Sequence, residues 1–211
     1  MTGAPLRSIA EQFHRQYYDS GVWRNTFWLG VQTQKCPLDL WIYQEILFES
    51  QPEMIIESGT ASGGSALFLA SVCDQIGQGR IITIDIEANT RRPKHPRVEY
   101  VVGSSVALEI VTAIKARIAG TERVMVILDS DHSKSHVLNE LRIYADAVTP
   151  GCYLIIEDTN INNHPVAEGF GPGPMEAVEE FLKGREDFII DREREKFFLT
   201  FNPRGFLRRV E

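Results

Sequence analysis

A doubly wound, Rossmann-like α/β fold is what this 211-residue chain predicts, on three observations. Short apolar runs rich in Ile, Val and Leu alternate with stretches of helical periodicity. Those runs lack polar alternation, as parallel strands buried on both faces do. A loop of small residues directly follows the first run, where an open α/β sheet gathers its ligand.

Taken in order, Leu6, Ile9, Ala10, Phe13 and Tyr17 recur at helical spacing and predict an N-terminal amphipathic helix. A second helix is expected to open at Pro37, a favoured first-turn residue, and to run through LDLWIYQEILFES. MIIE reads as the first strand, followed by the Gly loop and the helix SALFLASVCDQI. RIITIDI and VEYVVG read as the second and third strands. The helix SSVALEIVTAIKARIAG comes next, with Ser104 or Ser105 as its cap and Gly120 as its stop. RVMVILD is the fourth strand, SHVLNELRIYADAV a helix burying Val137, Leu141, Tyr144 and Val148, and CYLIIED the fifth strand. After the helix PMEAVEEFLKG, the runs DFIID and KFFLTFN are separated only by REREK, which predicts a hairpin and therefore an antiparallel strand. Residues 1–50 read as a helical extension, a cap or an interface, and 51–211 as the domain that carries the sheet.

Composition narrows the function. A net charge of −7 disfavours a nucleic-acid surface, because phosphate backbones select basic faces. Cys36, Cys73 and Cys152 show no metal-finger spacing, and Cys73 and Cys152 lie in apolar runs, so buried free thiols are expected. The start is broken by charges and no apolar run approaches the ~20 residues that cross a bilayer, so a cytoplasmic protein with no membrane partner is expected.

Two groups of residues carry chemistry. The first is the loop Gly59, Thr60, Ala61, Gly63, Gly64 and Ser65, where the backbone must turn tightly and approach a ligand closely. Its glycine order does not fit the G-x-G-x-x-G of dinucleotide enzymes. Glu57 before it would repel a pyrophosphate but suits the positive charge of S-adenosylmethionine. Asp85 ends the second strand, where ribose hydroxyls are met, and Ser104 and Ser105 end the third, facing an adenine edge or capping the next helix.

The second group is acidic. Asp129 ends the fourth strand, and Glu157 and Asp158 end the fifth; neighbouring strands would set these tips ~5 Å apart. Carboxylates converging there call for a cation, and an all-oxygen set suits Mg²⁺. His132 stands in the loop past Asp129 and is read as a general base, with a metal-binding pair of His132 and His136 as the alternative. Trp23, Phe27 and Trp28 are read as core, interface or acceptor pocket. The Gly- and Pro-rich run NINNHPVAEGFGPGP, with His164, is read as a lid.

The segments WLGVQTQKCPLDLWIYQE, IIESGTASGGSALFLA, GSS, VILDSDHSKSHV, YLIIEDTNIN, GPGPMEAVEEFL and FFLTFNPRGFLRR resemble the cephalosporin hydroxylase family, which groups cephamycin-biosynthesis proteins with bacterial rhamnosyl O-methyltransferases. The resemblance implies a class I S-adenosylmethionine-dependent methyltransferase with seven strands, the last antiparallel and helices on both faces. It implies that Asp129, Glu157 and Asp158 hold a metal, that Asp129 also borders the cofactor, and that His132 stands where related catechol-type enzymes often carry a basic lysine. The implied reaction is Mg²⁺-assisted O-methylation of a vicinal diol on a sugar or natural product, by a homo-oligomer. Oxidative chemistry has no visible apparatus, because no histidine is followed at the second position by Asp or Glu. Two other readings are an NAD-dependent oxidoreductase, which the glycine order and Glu57 disfavour, and a non-catalytic S-adenosylmethionine binder, which would not need the acidic trio.

Overall fold

The computed structural model describes residues 4–211, with side chains from residue 8 onward, so Leu6 lies outside the described side chains. Helix α1 (Ala4–Asp19) leads through a short turn to a small hairpin, β1 (Phe27–Trp28) with β2 (Val31–Gln32), and then to α2 (Pro37–Ser50). There follow β3 (Met54–Ser58), α3 (Gly64–Ile76), β4 (Arg80–Asp85), β5 (Val98–Val102), α4 (Leu108–Ile118) and β6 (Val124–Leu128). The chain continues with α5 (Lys134–Tyr144), β7 (Tyr153–Ile156), α6 (Pro174–Phe181), β8 (Phe188–Ile190) and β9 (Phe206–Arg209).

Seven strands form one sheet in the order β5-β4-β3-β6-β7-β9-β8. β3, β4, β5, β6 and β7 pair in parallel, and β9 runs antiparallel to both its neighbours. The apolar runs of β3, β4, β6 and β7 are buried, with every residue of β6 and of β7 shielded, whereas β5 at the sheet edge is not, its Glu99 and Val102 lying exposed. Each buried Ile, Val or Leu contributes roughly 1.5–3 kcal/mol of burial. Val137, Leu141, Tyr144 and Val148 lie in the core, and all three cysteines are free and buried.

Four expectations need correction. KFFLTFN is not a strand; the antiparallel partner is Phe206–Arg209. The alternation of Leu199 and Phe201 is real, but these side chains pack with Cys36, Tyr17, Tyr18 and Trp23, and the Phe201 amide donates to Asp39 Oδ2 at 2.8 Å. A period of two there reports packing on the N-terminal segments without a ladder. Helix α4 opens at Leu108, with Ala107 as an N-cap that offers no side-chain bond, so neither Ser104 nor Ser105 caps it. The α1 stripe turns inward only in part: Ile9 and Phe13 are exposed and Tyr17 packs half-buried on Phe201, while His14, outside the stripe, is buried and stacked on Phe201. The aromatic trio is split, with Trp28 edge-on to Phe68, Phe27 exposed, and Trp23 against Phe201.

Candidate active site

All parallel strands end on one edge of the sheet, and a cavity of about 600 Å³ opens there. Gly59, Thr60, Ala61 and Ser65 of the loop line it with Asp85, Ser104, Ser105, Asp129, His132, His136 and Asp158, while Gly63 and Gly64 lie outside the lining, against Tyr100 and Gln32. Strand pairing explains the convergence: Ser58 of β3 is in register with Leu128 of β6, and Leu128 with Ile156 of β7.

The loop between β3 and α3 is shaped by close backbone crossing. Gly59 has φ +85°, and a Cβ there would lie 1.8 Å from the Asp129 carbonyl oxygen. At Gly64 a Cβ would lie 2.3 Å from the Gln32 carbonyl oxygen, so the glycine lets the β2 end seat on α3. Asp85 braces the loop from β4: its Oδ2 accepts the amides of Thr60 at 3.1 Å and Ala61 at 2.8 Å. Arg92, buried, pairs with the same oxygen at 3.0 Å and donates to the Ala61 carbonyl at 2.9 Å. Asp85 therefore holds the loop as well as facing the cavity.

Glu57 lies beneath the loop and does not line the cavity. Thr83 Oγ1 donates to its Oε2 at 2.6 Å, Ser65 bonds it as well, and the Thr60 hydroxyl sits 2.7 Å from that of Thr83. Burial pushes its carboxyl above the usual range, while the Lys35 ammonium and these hydroxyls oppose the rise.

Ser105, behind the third strand tip, donates to Glu140 Oε1 at 2.6 Å, and Ser130 donates to the same oxygen at 2.8 Å. Glu140 is fully buried and raises the pKa of His136 through a hydrogen bond. His136 is thus engaged by Glu140 and Ser105, and the cluster of Asp129, His132 and Asp158 does not include it.

At the acidic edge, His132 Nε2 lies 3.2 Å from Asp158 Oδ2. Asp129, His132 and Asp158 each offer a ligand atom within 4.8 Å of the others; the two carboxylates suit a hard divalent cation, and the imidazole stands beside them. Asp158 takes a left-handed backbone, φ 54°, and its amide donates to Asn202 Oδ1 at 3.1 Å. Burial raises the pKa of Asp158, with His132 opposing, and likewise that of Asp129, with Lys35 opposing.

Glu157 turns the other way. It is buried, outside the cavity lining, and its Oε1 lies 2.6 Å from Lys35 Nζ. Burial and Asp129 push its carboxyl up to about 7 against the pull of Lys35 and Tyr43. The Lys35 ammonium also bonds Asp129 Oδ2. Burial works to lower the Lys35 pKa, but the carboxylates around it win and hold it above the ordinary lysine value. Lys35, Arg92, Glu140 and Asn202 were not singled out by the sequence reading.

The run after Asp158 is braced. Glu176 accepts from Asn162 at 2.8 Å and from the Gly173 amide at 2.7 Å, and contacts His164 at 3.0 Å. Burial works against its ionisation, yet these partners hold its carboxyl down at about 2. His164 faces a separate cavity of about 810 Å³, shared with His14.

Strand order, Gly loop and acidic edge define a Rossmann-like methyltransferase fold. Residues 20–210 match the family described as Rhamnosyl O-methyltransferase/CmcI, and the chain belongs to that family, as its sequence segments imply. The rhamnosyl O-methyltransferase of Mycobacterium tuberculosis is 42% identical over 212 residues, covering 96% of this chain and 86% of the relative. That of Mycobacterium leprae is 40% identical, covering 96% and 91%. A solved structure of CmcI with Mg and SAM superposes with a TM-score of 0.66 at 21% identity, covering 89% of this chain and 78% of that one. The O-methyltransferase TomG from Streptomyces achromogenes, in complex with SAM, gives 0.57 at 19% identity, covering 97% and 89%. These structures share the fold. Among the described residues, no helix is long and apolar enough to cross a membrane.

Proposed function

We propose that the protein transfers a methyl group from S-adenosylmethionine to a hydroxyl of a sugar or sugar-bearing small molecule, assisted by a divalent cation, with Mg²⁺ the best fit. One observation carries this reading: the Gly loop and the Asp129–His132–Asp158 cluster open into the same cavity. The relatives at 40–42% identity, named for rhamnosyl O-methylation, support the acceptor class.

In this reading the methyl donor lies along Gly59–Ser65, near Asp85, Ser104, Ser105 and Asp129. Glu57 acts from below, as a negative charge under the loop. Asp129 and Asp158 would hold the cation, with Glu157 behind them, and a vicinal diol is the acceptor class that suits such a site. The cation, when bound, lowers the pKa of the acceptor hydroxyl. His132 removes the hydroxyl proton, and Asp158, with Oδ2 3.2 Å from its Nε2, orients the ring. The sulfonium is already a good electrophile, so alignment of donor and acceptor is the main task left to the chain. Residues 1–50 serve as a cap over the 51–211 methyltransferase unit, since Gln32, Thr33 and Gln34 reach the cavity wall.

The test is methyl transfer from isotope-labelled S-adenosylmethionine to a rhamnoside, and to a deoxy analogue lacking the vicinal hydroxyl, each with Mg²⁺ or with EDTA. The expected result is labelled rhamnoside with Mg²⁺ only, and little label on the analogue. Equal labelling in EDTA would remove the cation from the account, and equal labelling of the analogue would remove the diol.

A further inference from the structure

A lysine is an expensive residue to bury, and Lys35 is 4% exposed. It comes from the short segment between β2 and α2, where its own amide donates to Thr26 Oγ1 at 3.2 Å. Its ammonium bonds Asp129, lies 2.6 Å from Glu157, and feels the charge of Glu57. These carboxylates stand at the ends of three adjacent strands, β6, β7 and β3.

A second chain of contacts runs behind them. The Tyr43 hydroxyl, fully buried on α2, bonds Glu157 and accepts from Asn202 Nδ2 at 2.9 Å. Asn202 in turn takes the Asp158 amide and so accompanies the left-handed turn that aims Asp158 into the cavity. All three strand-tip acids of the acidic edge are thereby tied, from the side away from the cavity, to residues far off in sequence.

We propose that Lys35 is a positioning residue for methyl transfer, which with Tyr43 and Asn202 behind it holds Asp129, Glu157 and Asp158 in one arrangement before a divalent cation arrives. The proposal rests on the divalent-cation reading above. Without the ammonium, Asp129 and Glu157 lose the partner they share and repel one another across neighbouring strands. A purely structural ion pair, by contrast, would glue residues 33–36 to the sheet and leave cation binding alone.

The experiment is Mn²⁺ binding by electron paramagnetic resonance, alongside S-adenosylmethionine binding by calorimetry, on the full chain. In Lys35→Met we expect Mn²⁺ affinity to fall at least tenfold while methyl-donor affinity stays within threefold, and Lys35→Arg to recover part of the loss. Mn²⁺ affinity within twofold of wild type, or tighter, in folded Lys35→Met overturns the proposal. Should Lys35→Met fail to fold, Tyr43→Phe decides: a threefold or greater loss of Mn²⁺ affinity supports the proposal, and anything smaller overturns it. Wild-type protein that binds no Mn²⁺ defeats the cation reading itself and the proposal with it, whereas wild-type binding untouched by these substitutions defeats the proposal alone.

Discussion

The Gly59–Gly63 loop and the acidic edge at Asp129 and Asp158 occupy one end of one sheet, yet different bonds hold them. The loop is fastened by short-range devices: a positive φ at Gly59, and the Thr60 and Ala61 amides on Asp85 of the next strand. The acidic edge is fastened by side chains from afar, with Lys35 reaching Asp129 across 94 residues and Asn202 reaching Asp158 across 44. Behind it, Asn160 bonds His14 of α1 across 146 residues. A ligand cradle made of backbone can be local, because amides need only a turn to align them. A cluster of like charges cannot, because each carboxylate must find a cation or donor that its own strand does not supply.

The comparison yields graded expectations. Gly59→Ala should be the most damaging change, since its Cβ would meet the Asp129 carbonyl at 1.8 Å in a backbone region alanine avoids. A loss of about 4 kcal/mol or more is expected in urea unfolding. A loss under about 1 kcal/mol would mean that the loop and β6 are less tightly joined than their geometry indicates.

Asp158→Ala should sharpen the contrast by separating the two sides. Methyl transfer is expected to fall about a thousandfold, while methyl-donor affinity changes little. Equal loss of both would show that the two sides work as one.

His14 tests how far the support of the acidic edge extends. Burial lowers its pKa from 6.5 to about 4. The folded protein therefore binds fewer protons than the unfolded chain between these values, and stability falls as pH drops through that window. The full effect is roughly 3 kcal/mol, present above pH 6.5 and lost by about pH 4. His14→Gln keeps an acceptor for Asn160 and should flatten that slope in urea melts taken across the pH range.

Asp85→Asn should act on the loop side alone. It weakens the pairing with Arg92 and one brace of the loop, so methyl-donor affinity is expected to drop about tenfold, with Mn²⁺ binding unchanged.

The same contrast explains what the sequence made legible. Strand runs, the loop glycines and the acids at strand ends are local patterns, and register alone carries Asp129 and Asp158 to one edge. Lys35 sits in QTQKCP, which has no period to report it, and a lysine belongs by default in water. Tyr43 reads as one more apolar position of α2, and Asn202 as a loop residue before Pro203. KFFLTFN misled for a related reason: an alternating pattern states that one side is buried, without stating against what. Glu57 and Glu157 were legible as carboxylates, but their inward turn depends on Thr83, Ser65, Lys35 and Tyr43, which only the fold brings near.

The most direct test of the central claim is a calorimetric titration of the protein with S-adenosylmethionine, with and without Mg²⁺, and with NAD as the control. Micromolar binding of the methyl donor, silence from NAD, and a separate Mg²⁺ heat that disappears in Asp158→Ala are the results this account predicts. Heat from NAD with none from the methyl donor would contradict it.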